Sequence, residues 1–211
     1  VTTNGNTRAV PIYQTTSYVF KNSEQAANLF SLKELGFIYT RLNNPTNQIL
    51  QDRLASVEGG IGAVVFASGT AAIATGLLTL LKSGDHIVAS SSLYGGTYNL
   101  LSVTLPRFGI TTTFVDASNA DNFETAVQDN TRAFFVESLG NPKLDVLDLE
   151  VISAHAKKAE VPFIVDNTVA TPVLLNPIKH GADIVIHSLT KYIGGQGTSL
   201  GGAIIDAGTF N

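Results

Sequence analysis

The 211-residue sequence contains no cysteine, no methionine and no tryptophan. Without cysteine the segment can form neither a disulfide nor a thiolate nucleophile. Its four histidines, at positions 86, 155, 180 and 187, show no ligand spacing for a metal centre, so no metal is expected. Charge is sparse: 14% of residues are charged and the formal net charge is -4. No Lys/Arg cluster occurs, which argues against nucleic acid or an anionic membrane as a partner. No apolar run reaches the length of a membrane span, and the polar start, residues 1–7, lacks a hydrophobic signal core. A cytoplasmic location is the default expectation. The absence of an initiator Met, and a stop just after an apolar run, lead us to expect a fragment or a processed chain.

What is present is a 44% hydrophobic chain, long enough for one sizeable core. Its first part, to about Leu54, is irregular and polar, with a short helix expected from Ser23 as cap to about Leu35. A second helix is expected over 46–58. Beyond it the pattern alternates. Strands are expected over 63–67, 86–90, 111–116, 133–138, 162–166, 182–187 and 202–205. Helices are expected over 70–81, 98–105 and 121–128, and after Asp148, where Leu149, Ile152, Ala156 and Ala159 share a face. The strands read as β-branched and apolar, buried on both faces. That predicts an α/β domain with a mostly parallel sheet of about seven strands and helices on both faces.

In such sheets ligands bind beyond the carboxyl ends of the strands, so the residues there are the candidates. Ser68-Gly69-Thr70 joins a buried strand to a helix. A glycine there permits close approach, and the helix start offers free N–H groups to a phosphate, although a plain capped turn reads equally well. In Tyr94-Gly95-Gly96-Thr97 the paired glycines leave a ring free to stack on a flat ligand, or simply mark a turn. Asn141 precedes Pro142 and is expected to be extended, with its amide free. Asp166 ends an apolar strand and needs a partner, which a protonated pyridine, an N-cap or a buried salt bridge could each supply. Ser188 and Thr190 place two hydroxyls beside Lys191, a residue type suited to imine chemistry. His187 reads as packing and His155 as a helix-surface residue. No G-x-S-x-G elbow supports a serine hydrolase.

Taken in order, Tyr39-Thr40-Arg41 with Asn44-Pro45-Thr46, Ser68-Gly69-Thr70, Tyr94-Gly95-Gly96-Thr97, Asp166-Asn167-Thr168 and Ser188-Leu189-Thr190-Lys191-Tyr192 resemble the Cys/Met-metabolism family of pyridoxal 5'-phosphate (PLP) enzymes. The resemblance runs along essentially the whole chain. It implies the large domain of the aspartate-aminotransferase-like fold (fold type I), with residues 1–54 as an arm serving a neighbouring subunit and 55–211 as the PLP-binding domain. The family's C-terminal substrate domain would lie outside this chain. By resemblance, Lys191 holds the cofactor as a Schiff base and shuttles protons, Asp166 pairs with the pyridine nitrogen, and Tyr94 stacks on the ring. Ser68, Gly69, Thr70, Ser188 and Thr190 would surround the phosphate, with Asn141 and Thr168 close to the cofactor. Tyr39 and Arg41 resemble a pair reaching a neighbouring subunit's phosphate, which implies a homo-oligomer, a dimer of dimers, with shared sites.

Within the family, residues 94–100 and 29–36 look most like O-acetylhomoserine sulfhydrylases, which exchange acetate for sulfide or a thiol. Methionine γ-lyase and cystathionine γ-synthase or γ-lyase share nearly all the motifs, and a non-catalytic PLP-binding module is a further alternative. Gly96 stands where many γ-lyases carry Cys. Leu139, Val169 and Gln196 depart from the residues common in the family (Pro, an aromatic and His), which leaves the subgroup open.

Overall fold

The computed structural model describes residues 7–210. The chain divides into two compact units, Val1–Arg53 and Leu54–Asn211.

In the first unit, α1 (Ser23–Phe30) is capped by Asn22 rather than by Ser23. The Asn22 side chain accepts the N–H of Gln25 at 2.8 Å, the geometry a short carboxamide gives at an N-cap. The helix stops well before Leu35 because Leu32 takes a left-handed conformation, φ 57°. The Asn44-Pro45-Thr46 run is a clamp. Asn44 donates to the carbonyl of Tyr13 at 2.8 Å and accepts the N–H of Thr46 at 2.9 Å, and the Thr46 hydroxyl donates to the carbonyl of Pro11 at 2.9 Å. Pro45 then opens α2 (Pro45–Glu58), a position where its missing N–H costs nothing.

The second unit is a seven-stranded sheet: β1 (Gly62–Phe66), β2 (His86–Ser90), β3 (Thr111–Val115), β4 (Thr131–Glu137), β5 (Phe163–Asp166), β6 (Ile184–Ser188) and β7 (Gly202–Asp206). Their order is β1-β7-β6-β5-β4-β2-β3, and every pairing is parallel except the two made by β7. Period-2 alternation sends neighbouring residues to opposite faces. Phe135, Ile164 and Ile186 join a core with Ile73 and Leu77 of α3 (Gly69–Leu80), while Phe134, Val165 and Val185 join one with Ile152 and Ala156 of α6 (Leu149–Lys158). Each buried Val, Leu, Ile or Phe among these stabilises by about 1.5–3 kcal/mol.

Two-sided burial holds for the central strands and fails at the edges. Val64 of β1 is 55% exposed, and the Thr-rich β3 is only half-buried, because an edge strand has a neighbour on one side only. The helix expected over 98–105 starts earlier, at Gly95. It runs as α4 (Gly95–Asn99), then a π turn Leu100–Thr104 and a 3-10 turn Leu105–Phe108. Pro106 has no N–H to donate, so the last turn cannot continue as α-helix. α5 (Asp121–Thr125) is shorter than expected, and a one-turn α7 (Thr171–Leu174) and a 3-10 turn Pro177–His180 had no signal in the pattern. His155 is not a plain surface residue. Its ring, 14% exposed, sits between Asp121 at 3.1 Å and Glu124 at 2.8 Å, joining α6 to α5.

Candidate active site

A cleft of about 520 Å³ opens at the carboxyl ends of β4, β5 and β6. Ten of the twelve candidate residues line it: Ser68, Gly69, Thr70, Tyr94, Asn141, Asp166, Thr168, Ser188, Thr190 and Lys191. Tyr39 and Arg41 belong to the first unit. Both are exposed there, and the Arg41 guanidinium stands 5.3 Å from the centroid of the Tyr39 ring. The hollow in the first unit, lined by residues such as Tyr13, Gln14 and Asn44, has no charged side chain in its walls. The cleft, in contrast, brings Glu137, Asp166 and Lys191 to one place at the strand ends.

Asp166 is a buried carboxyl group of the cleft. Its Oδ1 accepts the hydroxyl of Thr168 at 2.5 Å and the N–H of Thr168 at 3.0 Å. The same hydroxyl accepts the N–H of Ser188 at 2.8 Å, so Thr168 ties the end of β5 to the end of β6. Both bonds to the carboxylate use Oδ1, which leaves Oδ2 uncommitted. Desolvation pushes the carboxyl above the ordinary carboxylate range, against the downward pull of the Thr168 bonds and of His187. A desolvated carboxylate with one free oxygen is a site that wants a cation or an N–H donor, and a protonated pyridine nitrogen is both.

At the start of α3, Ser68 caps the helix by accepting the N–H of Ala71 at 3.1 Å. Gly69 has a different reason for being glycine than ligand approach alone: a Cβ there would lie 2.6 Å from the Cβ of Ser188. A Cβ on Gly202 would fall 2.1 Å from the Ser68 carbonyl oxygen. The two glycines let the start of α3 abut the ends of β6 and β7, which brings the Ser188 hydroxyl beside the helix N-terminus. That hydroxyl has no protein partner among the described residues. The Thr190 hydroxyl is engaged, accepting from the N–H of Gly201 at 3.1 Å and donating to its carbonyl at 3.2 Å. Lys191 follows in a tight turn in which the N–H of Gly195 donates to its carbonyl at 2.8 Å. It is exposed and is the cleft's lone lysine. Asn141 forms a cis peptide with Pro142.

Two features escaped sequence reasoning. Glu137 ends β4 in register with Asp166 and is buried. Burial pushes its carboxyl from the ordinary 4.5 up to about 8, opposed by the backbone N–H of Tyr94 and reinforced by Asp166, with smaller effects from the Asn141 N–H (downward) and Asp145 (upward). The available signal was position, since Glu137 follows an apolar strand as Asp166 does. A carboxyl whose folded value lies above its unfolded one favours folding while it holds its proton. This contribution is whole below about pH 4.5 and is lost as pH rises through about 8. Glu137→Gln removes the titration. The cofactor-free wild type is therefore expected to lose stability relative to Glu137→Gln, by a few kcal/mol, between pH 5 and pH 9 in urea unfolding.

The second is a buried network on the opposite face of the sheet. Ser138, Asn167 and His187 each neighbour a cleft residue, and alternation turns them away from it. The Ser138 hydroxyl donates to Asn167 at 2.8 Å, the Asn167 amide donates to Glu58 at 3.3 Å, and His187 bonds the same Glu58 carboxylate oxygen. His187 is thus a core residue with a specific hydrogen-bond partner rather than simple packing, and both side chains are fully buried. Truncating His187 leaves the buried Glu58 with the Asn167 amide as its remaining partner. His187→Ala is expected to cost about 1–3 kcal/mol of unfolding free energy by denaturant titration.

Comparison with known proteins gives the family and the fold. The Cys/Met metabolism PLP-dependent enzyme family matches residues 2–211. The chain is 59% identical over 204 residues to an O-acetyl-L-homoserine sulfhydrylase of Leptospira meyeri, covering 97% of this chain and 46% of that protein. It is 51% identical to a homocysteine synthase of Schizosaccharomyces pombe, covering 98% and 48%. A crystal structure described as an O-acetylhomoserine (thiol)-lyase from Campylobacter jejuni, carrying N'-pyridoxyl-lysine-5'-monophosphate, superposes with a TM-score of 0.95 at 49% identity, covering 98% of this chain and 51% of that one. The chain spans about half the length of the curated relatives it matches. With seven strands in a mostly parallel sheet and a family match along almost its entire length, the chain belongs to the Cys/Met metabolism family of PLP-dependent enzymes.

Proposed function

We propose that this chain is the cofactor-binding part of a PLP-dependent transferase that replaces the acetoxy group of O-acetylhomoserine by sulfide or a thiol, giving homocysteine or a thioether and acetate. The observation that carries it is convergence. A lysine amine, a buried carboxylate with one free oxygen, an aromatic ring and a helix N-terminus with a free hydroxyl all meet in one cleft at one sheet edge. Bound PLP supplies an electron sink that withdraws charge from the substrate's α-carbon. Asp166, through Oδ2, keeps the pyridine nitrogen protonated. Ser188 and the N–H groups of Gly69 and Thr70 hold the phosphate, with Ser68 and Thr190 fixing the loops that present them. The ring of Tyr94 stacks over the cofactor plane, and Asn141 and Thr168 border it. Lys191 binds the cofactor and carries protons between the substrate's α- and β-carbons.

For residues 1–54 we propose an arm whose Tyr39 and Arg41 reach the phosphate of a neighbouring subunit in a homo-oligomer, a dimer of dimers. Arg41 and Tyr39 are both exposed, as such a role requires. We place the protein in the cytoplasm; no helix among the described residues is long and apolar enough to cross a membrane.

Elimination is the competing reaction, since the chain is also 48% identical to an L-methionine gamma-lyase of Fusobacterium nucleatum. Gly96 favours the transferase. A Cβ there would lie 2.5 Å from Cε1 of Tyr94, so the cysteine that many γ-lyases carry would require the ring to turn from its present position. Assaying O-acetylhomoserine with sulfide against methionine alone tests the reading. Homocysteine from the first is the expected result, and dominant 2-oxobutyrate from the second would reverse it.

A further inference from the structure

Tyr94 has an unusual combination of freedom and constraint. Its ring is 51% exposed, and its phenol makes no hydrogen bond among the described residues. Its backbone, in contrast, is held on both sides. Its carbonyl accepts the N–H of Tyr98 at 2.9 Å as α4 begins, and its N–H donates to a carboxylate oxygen of Glu137 at 2.7 Å. Glu137 is 43 residues away in sequence, at the end of β4. It is 5% exposed and stands beside Asp166, with which it is in register across the parallel β4–β5 pair. Gly96 closes the arrangement, because the Tyr94 ring occupies the space its missing side chain leaves.

We propose that Glu137 is a positioning residue of the site: by holding the backbone N–H of Tyr94 from the strand next to Asp166, it sets where the Tyr94 ring stands over the cleft relative to the carboxylate below it. This rests on the cofactor reading above. The physical reason is that a stacking ring on a half-exposed tyrosine has no side-chain anchor of its own. Its orientation is inherited from the backbone, and the Glu137 bond is the link between that backbone and the strand edge that carries Asp166. Proximity to Asp166 and Asp145 makes the buried carboxyl hold its proton more tightly, as desolvation does. Either protonation state keeps an oxygen able to accept the Tyr94 N–H.

The test uses the protein as isolated, with PLP as the probe. Wild type, Glu137→Gln, Glu137→Ala and Glu137→Asp are compared by far-UV circular dichroism for folding, by PLP titration for affinity, and by visible circular dichroism of bound PLP, which reports the ring's asymmetric surroundings. Glutamine can accept the same N–H and is expected to keep the visible signal. Alanine lacks the acceptor and aspartate withdraws it by one methylene. Both are expected to lose at least half the visible signal and to bind PLP about tenfold more weakly. If Glu137→Ala fails to fold, Glu137→Asp gives the same reading with charge and burial kept. An alanine or aspartate variant with wild-type visible signal and affinity overturns the proposal, as does a glutamine variant that behaves like alanine. A wild-type protein that takes up no PLP overturns the cofactor reading itself, and this inference with it.

Discussion

Under the proposed transferase activity, replacing Lys191 by alanine is expected to lower turnover of O-acetylhomoserine and sulfide by about a thousandfold or more, while leaving the fold intact. The two halves of this expectation have separate causes. Lys191 is the cleft's lone lysine, so no other amine lining it can bind the cofactor covalently or carry the proton. Removing a general base from a reaction of this kind costs roughly 10²–10⁴-fold by itself, and the lost covalent anchor adds to that. Stability should hardly change, because the side chain is exposed and makes no hydrogen bond among the described residues. The turn around it is built from backbone, with the N–H of Lys191 donating to Ser188 at 3.2 Å and that of Gly194 to Leu189 at 2.9 Å. Lys191→Arg separates charge from chemistry. It keeps a cation in place, but a guanidinium does not deprotonate to become a nucleophile, so the variant should be as inactive as alanine. Steady-state kinetics with urea unfolding of the same samples checks both halves.

Asp166→Asn is expected to move activity and stability in opposite directions. Asparagine can accept both Thr168 bonds through its own oxygen, so the link between β5 and β6 survives. What disappears is the negative charge. Because desolvation holds the Asp166 carboxyl above its ordinary range, the folded, cofactor-free protein is penalised for ionising it at neutral pH. Removing that charge should raise the unfolding free energy of the cofactor-free protein at pH 7. Activity should fall by about 10²–10³-fold, since nothing then keeps the pyridine nitrogen protonated. A variant that loses stability and activity together would indicate that Asp166 serves the fold and not the cofactor.

The site was legible to the extent that it hangs on strand ends. Asp166, Ser188 and Lys191 follow apolar segments short enough to read as strands, and a parallel sheet gathers such ends at one edge. Gly69 was legible as a close approach, but not its partner, because nothing local says that Ser188 arrives there. Glu137 carried the same positional signal as Asp166 and was passed over inside its motif. Its meaning depends on Tyr94, which meets it only after β4 and β2 pair. The Glu58–His187 bond had no sequence signal at all. The two residues are 129 positions apart, and a histidine inside an apolar strand reads as packing until its partner is known. In the fold, the central strands followed their pattern. The edges and the start of α4 did not, because edge exposure is set by strand order and a Gly-Gly pair reads as a turn even where it opens a helix.

The central claim is that this cleft holds PLP through Lys191. The most direct measurement is borohydride reduction of the protein with PLP, followed by proteolysis and mass spectrometry of the labelled peptide. The account predicts one pyridoxyl group, on Lys191. Label on another lysine, or none while the protein is folded, would contradict it.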